Sequence, residues 1–120
     1  MRWKNNFVFF CFVFCCSVAM AQMPAIKNER KDTTTVNNLL QASKDVFSSD
    51  PAKAIAYSMQ AKALSEKLDF KKGIATALKN IGIAHYYQGN NLEALSFYQQ
   101  SLNVFKTLND ENGVSNIQSN

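Results

Sequence analysis

From Val36 onward the apolar positions recur at helical spacing, and each apolar stretch is closed by a short polar stop. Val36, Leu39, Leu40, Ser43, Val46 and Phe47 follow an i, i+3, i+4, i+7 pattern, which lines them along one stripe of a helix. Ordered structure is expected to begin around Thr33 to Thr35. Ser48-Ser49-Asp50-Pro51 stops this helix and starts the next: Asp50 can accept from exposed amides, and Pro51 at the first helical position loses no hydrogen bond. The second helix runs from about Pro51 to Leu68, with Ala54, Tyr57, Ala61, Leu64 and Leu68 on one face and small alanines that permit close packing. Asp69 is expected to cap a third helix, about Phe70 to Gln88, with Ile74, Leu78, Ile81 and His85 on one face. Gly89-Asn90-Asn91 ends it, glycine supplying the left-handed residue and asparagine capping the next helix. Leu92, Leu95, Tyr98, Leu102, Phe105 and Leu108 mark a fourth helix, and a fifth opens at Asp110.

The pattern repeats itself after 40 residues. Gly73, Ile74 and Ala75 return as Gly113, Val114 and Ser115, and Lys79-Asn80 as Ser119-Asn120. Ala54, Ile55, Tyr57, Ala61, Leu64 and Leu68 recur as Ala94, Leu95, Phe97, Ser101, Val104 and Leu108. Self-similarity at that period is the mark of a stacked array in which each unit buries its apolar face against its neighbours. The fold class is therefore all-α: antiparallel helical hairpins stacked as an α-α superhelix. Residues 33–68 form a divergent first repeat, 69–108 a complete one, and 109–120 the start of a third.

The beginning of the chain is of another kind. Arg2 and Lys4 precede an almost unbroken apolar run from Phe7 to Val18, and Ala19-Met20-Ala21 forms an A-x-A site before Gln22. Residues 1–21 therefore read as an export signal, delivering the mature chain to the periplasm or the extracytoplasmic face of the membrane. The run is short for a bilayer span, which needs about 20 apolar residues; a retained anchor is the competing reading. Residues 22–32 carry Pro24, mixed charges and little apolar content, and read as a flexible leader.

Composition narrows the chemistry. Cys11, Cys15 and Cys16 all lie within the apolar run, so the mature part has no thiol for a disulfide, a nucleophile or a metal site. The formal charge of +4 falls on cleavage: loss of Arg2 and Lys4 leaves 11 basic against 9 acidic residues, a net +2. That balance gives no case for nucleic acid. Gly73, Gly82, Gly89 and Gly113 are isolated, so there is no phosphate-cradling loop. His85 is the sole histidine and falls at a packed position; with no second histidine there is no metal pair. No Ser or Cys has a base at suggestive spacing, and the scattered carboxylates read as caps or solvated surface. No cofactor, metal or catalytic residue is expected.

Leu78, Ile81-Gly82, Tyr86, Gly89, Ala94, Tyr98, Ser101 and Leu102 match the helical-hairpin signature of the tetratricopeptide repeat family, which the chain resembles. Gly82, Ala94 and Ser101 are small where two antiparallel helices approach, and Gly89 lets the second helix turn back. The 40-residue period exceeds the usual length of about 34 and resembles the long-helix variant. Strict 40-residue spacing would put Gln41 and Asp45 on the core, so a turn one residue shorter is inferred near Ser48. Leu39, Ala42, Ser43 and Val46 then fall opposite Leu78, Ile81, Gly82 and His85.

The resemblance implies a protein-interaction scaffold that takes a protein or peptide in a concave groove. Its groove-facing positions would be Thr76, Lys79, Asn80, Ile83, Tyr86 and Tyr87, with Leu40, Lys44 and Phe47 in the first repeat. Asn80 offers donors and an acceptor to a peptide backbone, and the two tyrosines offer apolar area with a polar tip. The competing reading is that these residues pack on neighbouring helices or face water. Exported arrays of this kind also resemble the front end of bacterial sensor histidine kinases, transcription regulators and nucleotide cyclases. On that alternative, further repeats, a membrane span and an output domain are expected beyond Asn120, and the membrane link lies in that span or in the signal segment.

Overall fold

The structure of the chain, a computed structural model, describes residues 26–119, with side chains from Thr33. The apolar run at 7–18, the A-x-A site and residues 22–25 of the leader lie outside the described residues. Among the described residues no helix is long and apolar enough to cross a membrane.

Five helices and no strand make up this part: α1 (Ile26–Asp45), α2 (Pro51–Lys67), α3 (Lys71–Tyr87), α4 (Asn91–Thr107) and α5 (Glu111–Gln118). Each packs on the next, and α1 also reaches α3, as expected of stacked antiparallel hairpins. Helix α1 starts seven residues ahead of Thr33, inside the segment expected as leader. Lys27, Glu29, Arg30 and Lys31 are good helix formers, and residue-level propensity extends the helix where the apolar pattern gives no signal.

The last four helices begin 20 residues apart, because three connectors share one backbone solution. Asp69, Gly89 and Asn109 each take a left-handed conformation (φ +53°, +78° and +52°). The next amide then reaches back to close the helix. Phe70 N–H donates to the Ser65 carbonyl at 2.8 Å, Asn90 to His85 at 2.9 Å, and Asp110 to Phe105 at 3.0 Å. This is the closure that satisfies the orphan carbonyls of a helix end. Asp69 therefore ends α2 rather than capping α3, whose N-cap Phe70 makes no side-chain cap bond. Asn90 does precede α4 but likewise makes no side-chain cap bond; its amide donates instead to Gln88 Oε1 at 3.2 Å. Asp50 and Asp110 do cap, accepting from Lys53 N–H and Gly113 N–H at 3.0 Å each.

The connector from α1 to α2 is different: Val46–Ser49 form a turn, closed by Asp50 N–H on the Val46 carbonyl at 2.9 Å. It sets the inferred one-residue shift. Ser43, fully buried, donates to the Ala54 carbonyl at 3.0 Å and lies 2.7 Å from Ser58 Oγ. Its single proton goes to Ala54, so Ser58 must be the donor between them. One repeat later, a Cβ on Gly82 would sit 3.2 Å from the Ala94 carbonyl and 2.8 Å from the Tyr98 ring. Ser43 is thus the counterpart of Gly82, 39 residues away, and the first hairpin pairs serine with serine where the second pairs glycine with tyrosine. Gln41 and Asp45, which strict spacing would have buried, are exposed and hydrogen-bonded to each other at 2.9 Å.

Two apolar clusters hold the stack. Val36, Leu40, Ala61 and Ala77 form one, flanked by Leu39, Leu64, Leu68 and Phe70; Ala75, Phe105 and Ile117 form the other, flanked by Tyr98, Leu102, Val104 and Val114. Ser101 ties α4 to α3 by donating to the Ala75 carbonyl at 2.6 Å. His85 is half-buried and stacks on Phe97, with centroids 5.4 Å apart and planes 9° from parallel.

Candidate functional site

The six groove-facing candidates all lie on α3, but they do not share one environment. Asn80 is fully buried, and its amide donates across to the Leu40 carbonyl of α1 at 3.3 Å. Its Oδ1 is buried without a partner, at a cost of about 1–3 kcal/mol for such an acceptor. The side chain thus clamps α1 to α3 instead of lying open to a peptide backbone. Leu40 is largely buried in the core, and part of its side chain lines the cavity between α1 and α3. Thr76 is half-buried and donates its hydroxyl to the Lys72 carbonyl of its own helix at 2.8 Å.

Lys79 and Ile83 are half-buried, whereas Tyr86 and Tyr87 are exposed and meet edge to face at 6.1 Å. Lys79 on α3 and Lys44 on α1 lie near enough for the charge of one to act on the other. Burial pulls the Lys79 ammonium below its ordinary pKa, and the charge of Lys44 on α1 lowers it further. Neither lysine forms an ion pair among the described residues, where the pairs are Lys62–Glu66 (2.6 Å) and Lys72–Asp110 (3.7 Å). Close to them, Asn37, Gln41, Lys44, Phe70, Lys72 and Thr76 line a cavity of about 250 Å³ between α1 and α3. Phe47, in the turn that follows α1, is half-buried.

A second concavity, of about 420 Å³, opens where the end of α3 meets α4 and α5, bounded by Tyr86, Ala94, Leu95, Tyr98, Leu102 and Ile117. Burial, then the nearby Tyr86 and Tyr87, raises the Tyr98 phenol above its ordinary pKa. The sequence pattern puts Leu95 and Leu102 on a packed stripe. Helical spacing reports an apolar face, not whether a neighbour lies on it, and Leu95 is 65% exposed.

Leu78, Ile81, Ala94 and Ser101 are buried and Tyr98 is half-buried; Gly89 occupies the left-handed position of the α3–α4 connector. Among the described residues no three His, Cys, Asp or Glu side chains gather as a metal site.

These features define an all-α repeat protein built from stacked helical hairpins, with a lysine-bearing groove between its first and third helices. A sequence model of the tetratricopeptide repeat matches residues 47–107, just over half of the chain and all of α2 to α4, and the chain belongs to that family. No curated protein and no solved structure matches it. Members of the family typically serve as protein-protein interaction scaffolds and are generally not catalytic.

Proposed function

We propose that this chain is an exported interaction scaffold that holds an acidic segment of a protein or peptide partner in the groove between α1 and α3. The observation that carries the reading is the α1–α3 cavity lined by Lys44 and Lys72, with Lys79 within electrostatic reach of Lys44 and neither Lys44 nor Lys79 in an ion pair among the described residues. An incoming carboxylate would relieve the mutual repulsion of the two ammonium groups and favour the charged form of Lys79. Thr76 and Ile83 give the flanking contacts, and Tyr86 and Tyr87 extend the groove with apolar area bearing hydroxyl tips. Asn80 and Leu40 act beneath it as the clamp that fixes the spacing of the two helices. Export rests on the charged start, apolar run and A-x-A site of residues 1–21.

The test is selection of a random peptide library on the full chain. Enriched sequences should carry Asp or Glu at a fixed position and lose affinity at least tenfold on Lys79→Glu, with Leu95→Asp leaving them unchanged. Enrichment of sequences without acidic residues, or equal binding by Lys79→Glu, would overturn the assignment. The export arm is read separately, as a mature chain beginning at Gln22 in the periplasmic fraction; an intact amino terminus in membranes would favour the anchor.

A further inference from the structure

Lys72, in the first turn of α3, belongs to two neighbourhoods. Its side chain lines the α1–α3 cavity together with Asn37, Gln41, Lys44 and Thr76, and among the described residues no carboxylate lines that cavity. Its ammonium, however, lies 3.7 Å from Asp110 Oδ2, just ahead of α5. The two oxygens of Asp110 have separate tasks: Oδ1 accepts from Gly113 N–H at 3.0 Å and caps α5, while Oδ2 faces Lys72. The cap bond fixes Asp110, whose side chain is 19% exposed; the Lys72 side chain is 67% exposed and is the end free to move. Thr76 bonds only the Lys72 carbonyl, so that contact does not restrain the ammonium. The arrangement is particular to this corner. Forty residues earlier the equivalent position at the start of α3 is Phe70, which carries no charge and makes no side-chain cap bond.

We propose that Asp110 is a built-in competitor for the acidic segment, drawing Lys72 away from the groove until an incoming carboxylate takes the ammonium from Oδ2. The inference rests on the α1–α3 groove being the site of an acidic segment, and it adds the residue that sets how much a partner gains there. Lys44 and Lys79 have no carboxylate to give up, so a ligand has their full attraction. At Lys72 the ligand gains only the difference between its own ion pair and the one it breaks. The exchange leaves α5 capped, because Oδ1 takes no part in it. Asp110 therefore tunes selectivity in the groove without loosening the stack.

Asp110→Asn separates the two tasks, since asparagine caps a helix as well as aspartate does but offers Lys72 no charge. A library-selected acidic peptide is titrated into the full chain by calorimetry. Affinity should rise about two- to fivefold in Asp110→Asn at low ionic strength, the span of an exposed ion pair, with an unchanged melting temperature. Asp110→Ser, a second uncharged cap, should give the same gain. In a Lys72→Met background most of the gain should disappear, which distinguishes competition for Lys72 from the general loss of one negative charge. Equal affinity of the parent and both Asp110 variants, or a gain undiminished by Lys72→Met, would overturn the proposal. A tenfold loss on Lys79→Glu with no response to Asp110→Asn strikes the competitor alone; acidic peptides that bind Lys79→Glu as they bind the parent strike the groove, and the competitor with it.

Discussion

Replacing Gly82 by serine should destabilise the chain, and replacing Tyr98 by serine as well should recover part of the loss. A Cβ at Gly82 would lie 2.8 Å from two ring carbons of Tyr98 and 3.2 Å from the Ala94 carbonyl. The ring can pivot; the carbonyl belongs to the α4 backbone and can yield only by separating the helices. Overpacking of this kind costs about 1–3 kcal/mol, offset by roughly 0.5 kcal/mol because glycine is the poorer helix former. Gly82→Ser should therefore cost about 0.5–2.5 kcal/mol, which in a domain of this size lowers Tm by roughly 4–8 °C per kcal/mol. Tyr98→Ser alone removes a half-buried ring and should cost about 1.5–3 kcal/mol, within the usual range for truncating an apolar side chain. The double variant recreates the Ser43–Ser58 pair, with its serine donating to a facing alanine carbonyl. Its loss should fall at least about 1 kcal/mol below the sum of the singles, well outside the additivity expected of independent sites. Urea unfolding of all four proteins by far-ultraviolet circular dichroism measures the cycle. Additive losses, or a Gly82→Ser variant as stable as the parent, would refute the equivalence of Ser43 and Gly82.

The connectors and the groove give three further outcomes. Asp50→Ala should cost about 0.5–2 kcal/mol through its lost cap bond, while Asn90→Ala should cost less than about 0.5 kcal/mol because Asn90 makes no such bond; urea midpoints decide it. Gly89→Ala should lose about 1–2 kcal/mol although nothing lies within 4 Å of the added methyl, because the cost is in the left-handed backbone; a neutral result would contradict the closure described for α3. Lys79 has a lowered folded pKa, so the unfolded chain binds its proton more tightly, and its burial penalty is relieved as pH rises from the folded value towards 10.5. Tyr98, raised above 10.0, acts oppositely and loses stability over that upper range, so the comparison belongs in a Tyr98→Phe background. There, stability should rise with pH in the parent and stay flatter in Lys79→Met.

Much of the scaffold was legible because it depends on spacing. Helical periodicity located the five helices, and the 40-residue echo of Gly73 and Ala54 gave their stacking. The conflict at Gln41 and Asp45 exposed the one-residue register change before any contact was known. The sequence misled where one residue type serves two backbone roles. Asp69 and Asn90 look like caps because aspartate and asparagine cap helices, yet aspartate and asparagine also tolerate the left-handed conformation, and Asp69 takes it. The candidate site was less legible. Positions 76, 79, 80 and 83 share a helix face, but burial separates Asn80 from the rest, and that depends on how closely α1 approaches. Lys44 and Lys79 are far apart in the chain, and the charge of one reaches the other only through the same approach.

The most direct test of the interaction reading is a map of backbone amide shifts on the full chain as a library-selected acidic peptide is added. The account predicts changes concentrated at Lys44, Thr76, Lys79 and Ile83, with a parallel rise in the Lys79 pKa. Changes confined to α4 and α5, or an unmoved Lys79, would contradict it.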